Sequence, residues 1–573
     1  MDTLVENTQT KVWNSVLTQT HWLTGLLCLA LAGRLYVGCR YEINWDEFYY
    51  LSLIYDHLRG DLSYGLQTFH VHLFSWVTWL PENEAEQIIA LRLLMLLLQL
   101  LTCLLIFRIC RRFSSLNGAL FSVLAYAALS YNMRMGNSFR VDPLLSCCLM
   151  ATLDVVLQKK TTKALWALAG LAMALAMMLS IKSALYLPTI GLILLITLLR
   201  PKHDRLGQHH WPPLITAAVM GFALMYLYHY ASLGSITGLS DVSLLSHSLD
   251  KTLEQNTLFP RKRYLSYSFI VDMGFWLTLL YGLKIALNKA IDKSQKQEAW
   301  LLLALLLPLT SLLFYRNAFP YYYAFILAPV SPLCGIAWDG LEQHSGKAET
   351  NAIKGLVLLS FSGSILFNGF WMPYARNLDN QQQLLALVHR LFPEPSTYID
   401  RCGMVSSFQQ VGFFMSTWGM ENYHLRQSPL LTKAISSYKP AFFIANLDSL
   451  DISRARSAGP AAYQLLAEDK QSLSDNYIHH WGELYVAGKE FVLTPPAGEQ
   501  NFTIIINGGY TLEGHGKVLI DGEEFMPGDL VQLNAGQHSI SAMTIAGKFS
   551  LRWGEQLYRP EKDPEERSIF NGF

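Results

Sequence analysis

The sequence predicts a mainly α-helical membrane protein: a polytopic bundle of about eleven spans, then a C-terminal α/β region and a small β-sandwich-like region. Three observations predict it. Of 573 residues, 51% are hydrophobic and 15% charged, whereas an ordinary soluble domain carries roughly 25% charged residues. The apolar residues are gathered into runs as long as a bilayer is thick. Beyond about residue 372 those runs shorten to strand length, and Gly, Pro, Asn and Asp become frequent.

A span needs about 20 mostly apolar residues, because the hydrocarbon core is roughly 30 Å thick and a helix rises about 1.5 Å per residue. Runs of this kind lie near 21–39, 88–110, 116–133, 143–158, 164–180, 184–200, 213–231, 266–288, 299–315, 321–338 and 353–372. A polar stretch with Asp2, Glu6 and Lys11 precedes the first, and no small-residue cleavage site follows it, so a retained span is expected instead of a signal peptide. Lys and Arg collect after alternate spans: Arg108, Arg111 and Arg112; Lys159, Lys160 and Lys163; Arg200, Lys202 and Arg205; Lys289, Lys293 and Lys296. Short cytoplasmic loops carry such an excess. Residues 1–20 are therefore expected in the cytoplasm, the bundle over 21–372 with a long first external loop at 40–87, and the tail outside. Arg261, Lys262 and Arg263 are discordant, falling in an external loop.

The tail reads as an α/β region over 373–500 and a small β region over 501–573. A helix is expected around Gln381–Leu391 and a buried strand at Ala441–Ala445. Short strands are expected at Phe502–Ile506, Lys517–Ile520, Leu530–Leu533 and His538–Met543, separated by Asp521-Gly522, Pro527-Gly528 and Asn534-Ala535-Gly536. Acidic and basic residues number 44 each, so no global field recruits nucleic acid. The eight cysteines have no C-x-x-C spacing, which argues against a disulfide scaffold or a structural zinc site.

Charged groups at the predicted external membrane face are the functional candidates. In INWDEFYYLS, Asp46 and Glu47 sit among Trp45, Phe48, Tyr49 and Tyr50. Ionisable groups there are costly unless they line a cavity or a site; alternatively, Asn44 or Asp46 caps an interfacial helix bearing an aromatic belt. In GNSFRVDPLL, Asp142 before Pro143 marks a helix start. Arg140 beside it either converges on the same cavity as Asp46 or snorkels to headgroups. Lys182, the Arg261–Arg263 cluster and Arg316 place further positive charge outside, suited to phosphate. His70 and His72 in FHVHLF have an i, i+2 spacing that suits a strand and packing better than a metal pair.

Taken in order, these pieces resemble the GT-C membrane glycosyltransferases, in the branch of the lipid A aminoarabinose transferase and the protein O-mannosyltransferases. The likeness rests on WDEFYY, the long first loop, FRVDPLL, LSIKSALYLP and RNAFPYYYAFILAPV, over roughly residues 10–372. It implies a sugar donor linked to polyprenyl phosphate, Asp46 as catalytic base with Glu47 as its neighbour, and Asp142 as the second acidic position. It also implies Lys182 and Arg316 on the donor phosphate, a role to which the external charge adds Arg140 and the Arg261–Lys262–Arg263 cluster, while Trp45, Tyr49, Tyr50, His70, His72, Tyr321 and Tyr322 are expected to line the site. One displacement aided by a base predicts inversion at the anomeric carbon. Some GT-C enzymes use a divalent cation, but this branch generally needs none for transfer, so no essential cofactor or metal is expected. The acceptor is a lipid, a glycan or a protein, reached at a bacterial plasma membrane.

Two other classes compete. A multi-span transporter or lipid-linked-sugar flippase shares the buried ions, but such proteins usually show paired halves with broken helices, and no such internal symmetry is evident. An inactive bundle anchoring a polysaccharide-binding tail is the third reading.

Overall fold

The computed structural model describes residues 2–62, 64–81, 83–158, 161–199, 211–233, 258–292, 295–344, 347–452, 464–494, 499–543, 545–562, 564 and 569–572, with backbone only for 2–18, 342–344 and 347. Lys159, Lys160, Arg200, Lys202, Arg205 and Lys293 of the expected cytoplasmic clusters lie outside the described residues, as do the side chains of Asp2, Glu6 and Lys11.

Ten helices open the chain: α1 (Asp2–Arg40), α2 (Trp45–Arg59), α3 (His70–Phe74), α4 (Glu84–Cys110), α5 (Leu116–Ala127), α6 (Ser130–Met135), α7 (Val141–Val156), α8 (Lys163–Leu179), α9 (Leu187–Leu198) and α10 (Trp211–Ser232). Each of the eleven apolar runs is helical, yet fewer than eleven qualify as spans. Among the described residues, five helices are long and apolar enough to cross a membrane, and up to eight if three bent pairs count as one span each. The chain is thus an integral membrane protein. The expected count is not reached because α5 and α8 have 12 and 17 residues, short of the roughly 20 a span needs. Other runs bend, by 91° between Val271 and Met273 and by 66° between Leu327 and Pro332.

The first bend has a purpose in the packing. Asp272 at the corner accepts hydrogen bonds from the Ser130 amide (2.8 Å) and hydroxyl (2.8 Å), so it satisfies the free N-terminus of α6. Helices also approach closely at Gly118 on α5 and Gly335 on the helix Pro332–His344, where a Cβ on Gly118 would lie 2.7 Å from the Gly335 carbonyl oxygen.

The FHVHLF segment is helical (α3), not a strand, and runs directly into the 3-10 turn Ser75–Trp79. Its two histidines consequently point to different neighbours, described below. Asp142 does not cap α7: the helix begins at Val141 and Arg140 is its N-cap, because both Asp142 oxygens are taken by cations.

The tail begins with the expected helix, Asp379–Leu391. Its strands are β1 (Thr397–Ile399), β2 (Gln409–Gln410), β3 (Phe442–Ile444), β4 (Tyr477–Trp481), β5 (Leu484–Leu493), β6 (Gln500–Ile504), β7 (Gly508–Glu513), β8 (Val518–Ile520), β9 (Glu523–Phe525), β10 (Leu530–Leu533), β11 (Gly536–Ala542) and β12 (Gly547–Trp553). An 8-stranded sheet runs in the order β10-β7-β12-β5-β3-β1-β2, with β4 also on β5, and a 4-stranded sheet runs β6-β11-β8-β9. β1 pairs in parallel with β2 and β3, while β5 pairs antiparallel with β3 and β12. The large sheet therefore crosses residue 500, joining the mixed α/β part to the all-β end. Phe491, Leu512, Phe549 and Leu551 of one sheet pack against Phe502, Ile504, Val518 and Ile540 of the other, as in a sandwich.

The tail also shares a core with the first external loop. Ile43, Phe48, Leu51 and Ile54 cluster with Leu384, Tyr398, Phe442 and Phe570. Gln381 reinforces this, accepting from the Ile43 amide (2.8 Å) and donating to the Ile43 carbonyl (2.8 Å). A helix of the tail 338 residues further along the chain thus holds the segment that leads into α2.

Candidate active site

The start of α2 fixes Asp46. Asn44 is the N-cap: its side-chain oxygen accepts from the Asp46 amide (3.0 Å), and the Glu47 carboxylate accepts from the Asn44 amide (3.1 Å), forming a reciprocal capping box. Glu47 does more than cap. Its carboxylate is 1% exposed and takes a two-pronged hydrogen bond from Arg92 of α4, at 2.8 and 2.6 Å. The Phe139 amide donates to it as well (2.7 Å). Arg92 in turn donates to the carbonyls of Tyr41 (2.7 Å) and Glu42 (3.0 Å). Every acceptor position of the Glu47 carboxylate is engaged. It ties together α2, α4 and the turn before Arg140.

Asp46, one residue earlier, points elsewhere. Its side chain is 18% exposed and forms an ion pair with buried Arg140. Arg140 Nε also donates to Asp142 (3.2 Å), and Asp142 forms a second ion pair with Lys182. The result is a continuous chain Asp46–Arg140–Asp142–Lys182, two acids and two bases, drawn from α2, the start of α7 and the 3-10 turn Ile181–Tyr186. Lys182, Arg140 and Asp142 are buried. Tyr321 covers the chain: the Arg140 guanidinium lies 3.6 Å from its ring centroid and the Lys182 ammonium 5.3 Å. Tyr50 flanks it at 5.7 Å from Arg140.

The other expected residues fall around this centre or apart from it. Tyr49 stacks on Phe414 of the tail at 3.9 Å, and its hydroxyl bonds to that of Tyr64; burial pushes the pKa of the Tyr49 hydroxyl up to about 12. Trp45 lies under the Arg401 guanidinium, 3.9 Å from its ring centroid. His70 bonds to the Tyr50 carbonyl (3.2 Å), and burial lowers its pKa to about 4. His72 meets His229 of α10 nitrogen to nitrogen at 2.8 Å. That is a direct hydrogen bond and leaves no room for an ion, which would need each nitrogen at about 2.0–2.1 Å. Burial, then His229, lowers the His72 pKa to about 4. Among the described residues, no group of three or more His, Cys, Asp or Glu is arranged to hold a metal. Tyr322 is core: it bonds to Ser311 (2.6 Å) and stacks on Tyr315.

Arg316 pairs with Glu421 of the tail (3.0 Å) and lies over Trp418, 4.7 Å from its ring centroid. Trp418 also donates to Asn317 (3.2 Å). The loop before Tyr321 is thereby fastened to the tail. Arg261 donates to the Arg316 carbonyl (3.0 Å) and stacks on Phe319, while Lys262 and Arg263 are exposed. Arg92 and Glu421 went unnoticed in the sequence. A lone Arg inside EQIIALRLLMLLLQ was a visible signal, because an ionisable group in an apolar run requires a partner.

The family of dolichyl-phosphate-mannose-protein mannosyltransferases matches residues 72–229. No curated protein matches the sequence. Among solved structures, ArnT from Cupriavidus metallidurans bound to undecaprenyl phosphate aligns with a TM-score of 0.51 and 14% identity, over 74% of this chain and 93% of that one. The same protein in the apo state gives 0.49 and 15% over the same shares. The Archaeoglobus fulgidus oligosaccharyltransferase in the apo form gives 0.45 and 12%, over 86% of this chain and 73% of that one. Over 74% of its length the chain shares the fold of ArnT, in agreement with the GT-C resemblance carried by the sequence motifs.

Proposed function

We propose that this chain is an integral-membrane glycosyltransferase that moves a hexosyl or pentosyl group from a polyprenyl-phosphate carrier to a hydroxyl of a lipid, glycan or protein acceptor. The observation that carries this reading is the buried chain Asp46–Arg140–Asp142–Lys182 under Tyr321, set in a bundle that shares the ArnT fold. That relative is described with undecaprenyl phosphate bound, which supports a lipid phosphate here.

The acceptor oxygen attacks the anomeric carbon while the bond from that carbon to the phosphate oxygen breaks. The bonding electrons leave with the phosphate, and the acceptor proton passes to an Asp46 oxygen. Arg140 and Lys182 meet the charge that develops on the departing phosphate, where fixed cations in a dry site are most effective. In the resting arrangement Asp46 and Asp142 occupy those cations, so the carrier phosphate competes for Arg140 and releases Asp46 toward the acceptor. Glu47 with Arg92 and Arg316 with Glu421 position these groups. The positive charge comes from side chains, so we read the transfer as independent of a divalent cation, and chelator-treated protein keeps its activity.

We place the site and tail outside the cytoplasm, at a bacterial plasma membrane, with the N-terminus inside. Support comes from α4: its Glu84 end is bonded to Ser407 and His389 of the tail, whereas Arg108, Arg111 and Arg112 gather at its opposite end, as the cytoplasmic side requires.

Reconstituted protein given a labelled polyprenyl-phosphate sugar and envelope extract tests the reading. A glycosylated product with the anomeric configuration inverted supports it. Movement of labelled lipid between leaflets with no product would instead identify a flippase, and retained configuration would reject a single displacement.

A further inference from the structure

A crevice between α1, α4 and α5 plays no part in the reaction described above. It encloses about 260 Å³ and is lined by Leu27, Leu31 and Arg34 of α1, Leu100 and Cys103 of α4, and Ala127 of α5. Leu27, Leu31 and Arg34 recur at helical spacing along one face of α1. Leu31 and Leu100 are exposed on helices that qualify as spans, so the mouth of the crevice faces hydrocarbon. Arg34 is the discordant residue: it is 2% exposed. Its Nη2 donates to the Ala127 carbonyl (3.0 Å), but among the described residues its Nε and Nη1 meet no acceptor. A buried guanidinium without an anion is costly, and it is rarely kept without one.

Arg34 lies six residues before Arg40, where α1 ends, or roughly 9 Å along the axis. It is therefore near the same membrane face as Asp46, at about the depth of the lipid headgroups. The apolar part of the crevice continues inward past Leu31 and Leu27, where an acyl chain would lie. One guanidinium with free donors suits the single charge of a phosphodiester; a phosphomonoester carries about −1.5 to −2 and is better met by the Arg140–Lys182 pair.

We propose that this crevice binds an acidic phospholipid, its phosphodiester held by Arg34 and one acyl chain seated along Leu31, Leu27 and Cys103. The test uses full-length protein in detergent offered equal phosphatidylglycerol and phosphatidylcholine, with retained lipid counted by native mass spectrometry. Wild type retains phosphatidylglycerol preferentially, and Arg34→Leu retains about tenfold less, the loss expected for one charge-assisted bond. Arg34→Lys keeps the preference. Cys28→Trp, which fills the mouth of the crevice from an exposed position while sparing the charge, loses it. These two variants decide the matter if Arg34→Leu fails to fold. Equal retention of both lipids by wild type, or undiminished phosphatidylglycerol in Arg34→Leu or Cys28→Trp, would overturn the proposal. So would one-for-one displacement by polyprenyl phosphate, which would assign the crevice to the carrier.

Discussion

Glu47→Gln tests how Asp46 is positioned, because the substitution keeps the shape of the side chain and removes only its charge and one acceptor. In the native site one oxygen accepts from the Asn44 amide and Arg92 Nη2, the other from Arg92 Nε and the Phe139 amide. Glutamine presents a single oxygen, so one of these two pairs of donors must face an NH2 group. Arg92, itself buried, is left without its counter-charge. Removing one partner of a buried ion pair costs about 3–5 kcal/mol, which at about 1.4 kcal/mol per tenfold corresponds to roughly 10²- to 4 × 10³-fold in a local equilibrium. The opening should be confined to the first turn of α2 and the turn before Arg140. Hydrogen exchange followed by mass spectrometry reads it directly: amides of residues 44–47 and 137–140 exchange at least about a hundredfold faster, while β5 and β12 of the tail are unchanged. Native exchange in those two segments, together with a native melting temperature, would refute the positioning role of Glu47.

Asp142→Asn removes one of the two acids that neutralise the site, so polyprenyl phosphate should bind about tenfold tighter or more, electrostatics at an effective dielectric near 20 being worth a few kcal/mol. Turnover should nonetheless fall by about 10², because Arg140 loses an anchor and shifts; carrier titration and initial rates check both. Burial pushes the Glu42 carboxyl up to about 7, against the hydrogen bond from Asn571 and the charge of Arg376. With a folded pKa above the unfolded one, the native state holds the extra proton, so the fold around Glu42, where it meets Asn571 and Arg376, is most stable below about pH 4.5 and loses stability as pH rises toward 7, on the order of 3 kcal/mol in all. Glu42→Gln should flatten melting temperature against pH across that window, and an unchanged slope would exclude Glu42 as its source. Gly403, at φ 72°, sits where a Cβ would lie 2.7 Å from Ser52 Cβ of α2; Gly403→Ala should cost about 2–5 kcal/mol from the left-handed backbone and the clash. Adding Ser52→Gly should recover part of that loss in a thermal melt.

The fold and the centre of the site were legible in the sequence because both depend on local pattern. Asp46 and Asp142 each stand at a helix start, and the charge alternation between runs placed those starts, with Arg140 and Lys182, on one face; the structure joins the four into one chain. The residues that hold them there were not legible. Arg92 lies within an apolar run and its partner is 45 positions earlier, and the Arg316–Glu421 pair spans 105 positions, so neither leaves a short-range signature. Glu47 was paired with Asp46 through the family resemblance; successive residues at a helix start point in different directions, so Glu47 turns to Arg92 and Asp46 to Arg140. The span count shortened for a related reason. Apolar composition marks helices buried in a bundle as readily as helices that cross a bilayer, and a bend at a buried Asp such as Asp272 is invisible to hydropathy. In the tail, the turns at Asp521-Gly522 and Asn534-Ala535-Gly536 helped mark β8, β10 and β11, whereas the short β9 was not foreseen. The pairing of β12 with β5, which joins the two parts of the tail, is a long-range choice that no local signal encodes.

The most direct measurement separates carrier binding from transfer in Asp46→Asn. Reconstituted variant and wild type are titrated with polyprenyl phosphate and then assayed for transfer from the corresponding lipid-linked sugar, with Lys182→Met alongside. The account predicts that Asp46→Asn binds the carrier at least as well as wild type while transfer falls by about 10²- to 10⁴-fold, and that Lys182→Met weakens binding itself. Transfer by Asp46→Asn at the wild-type rate would contradict it.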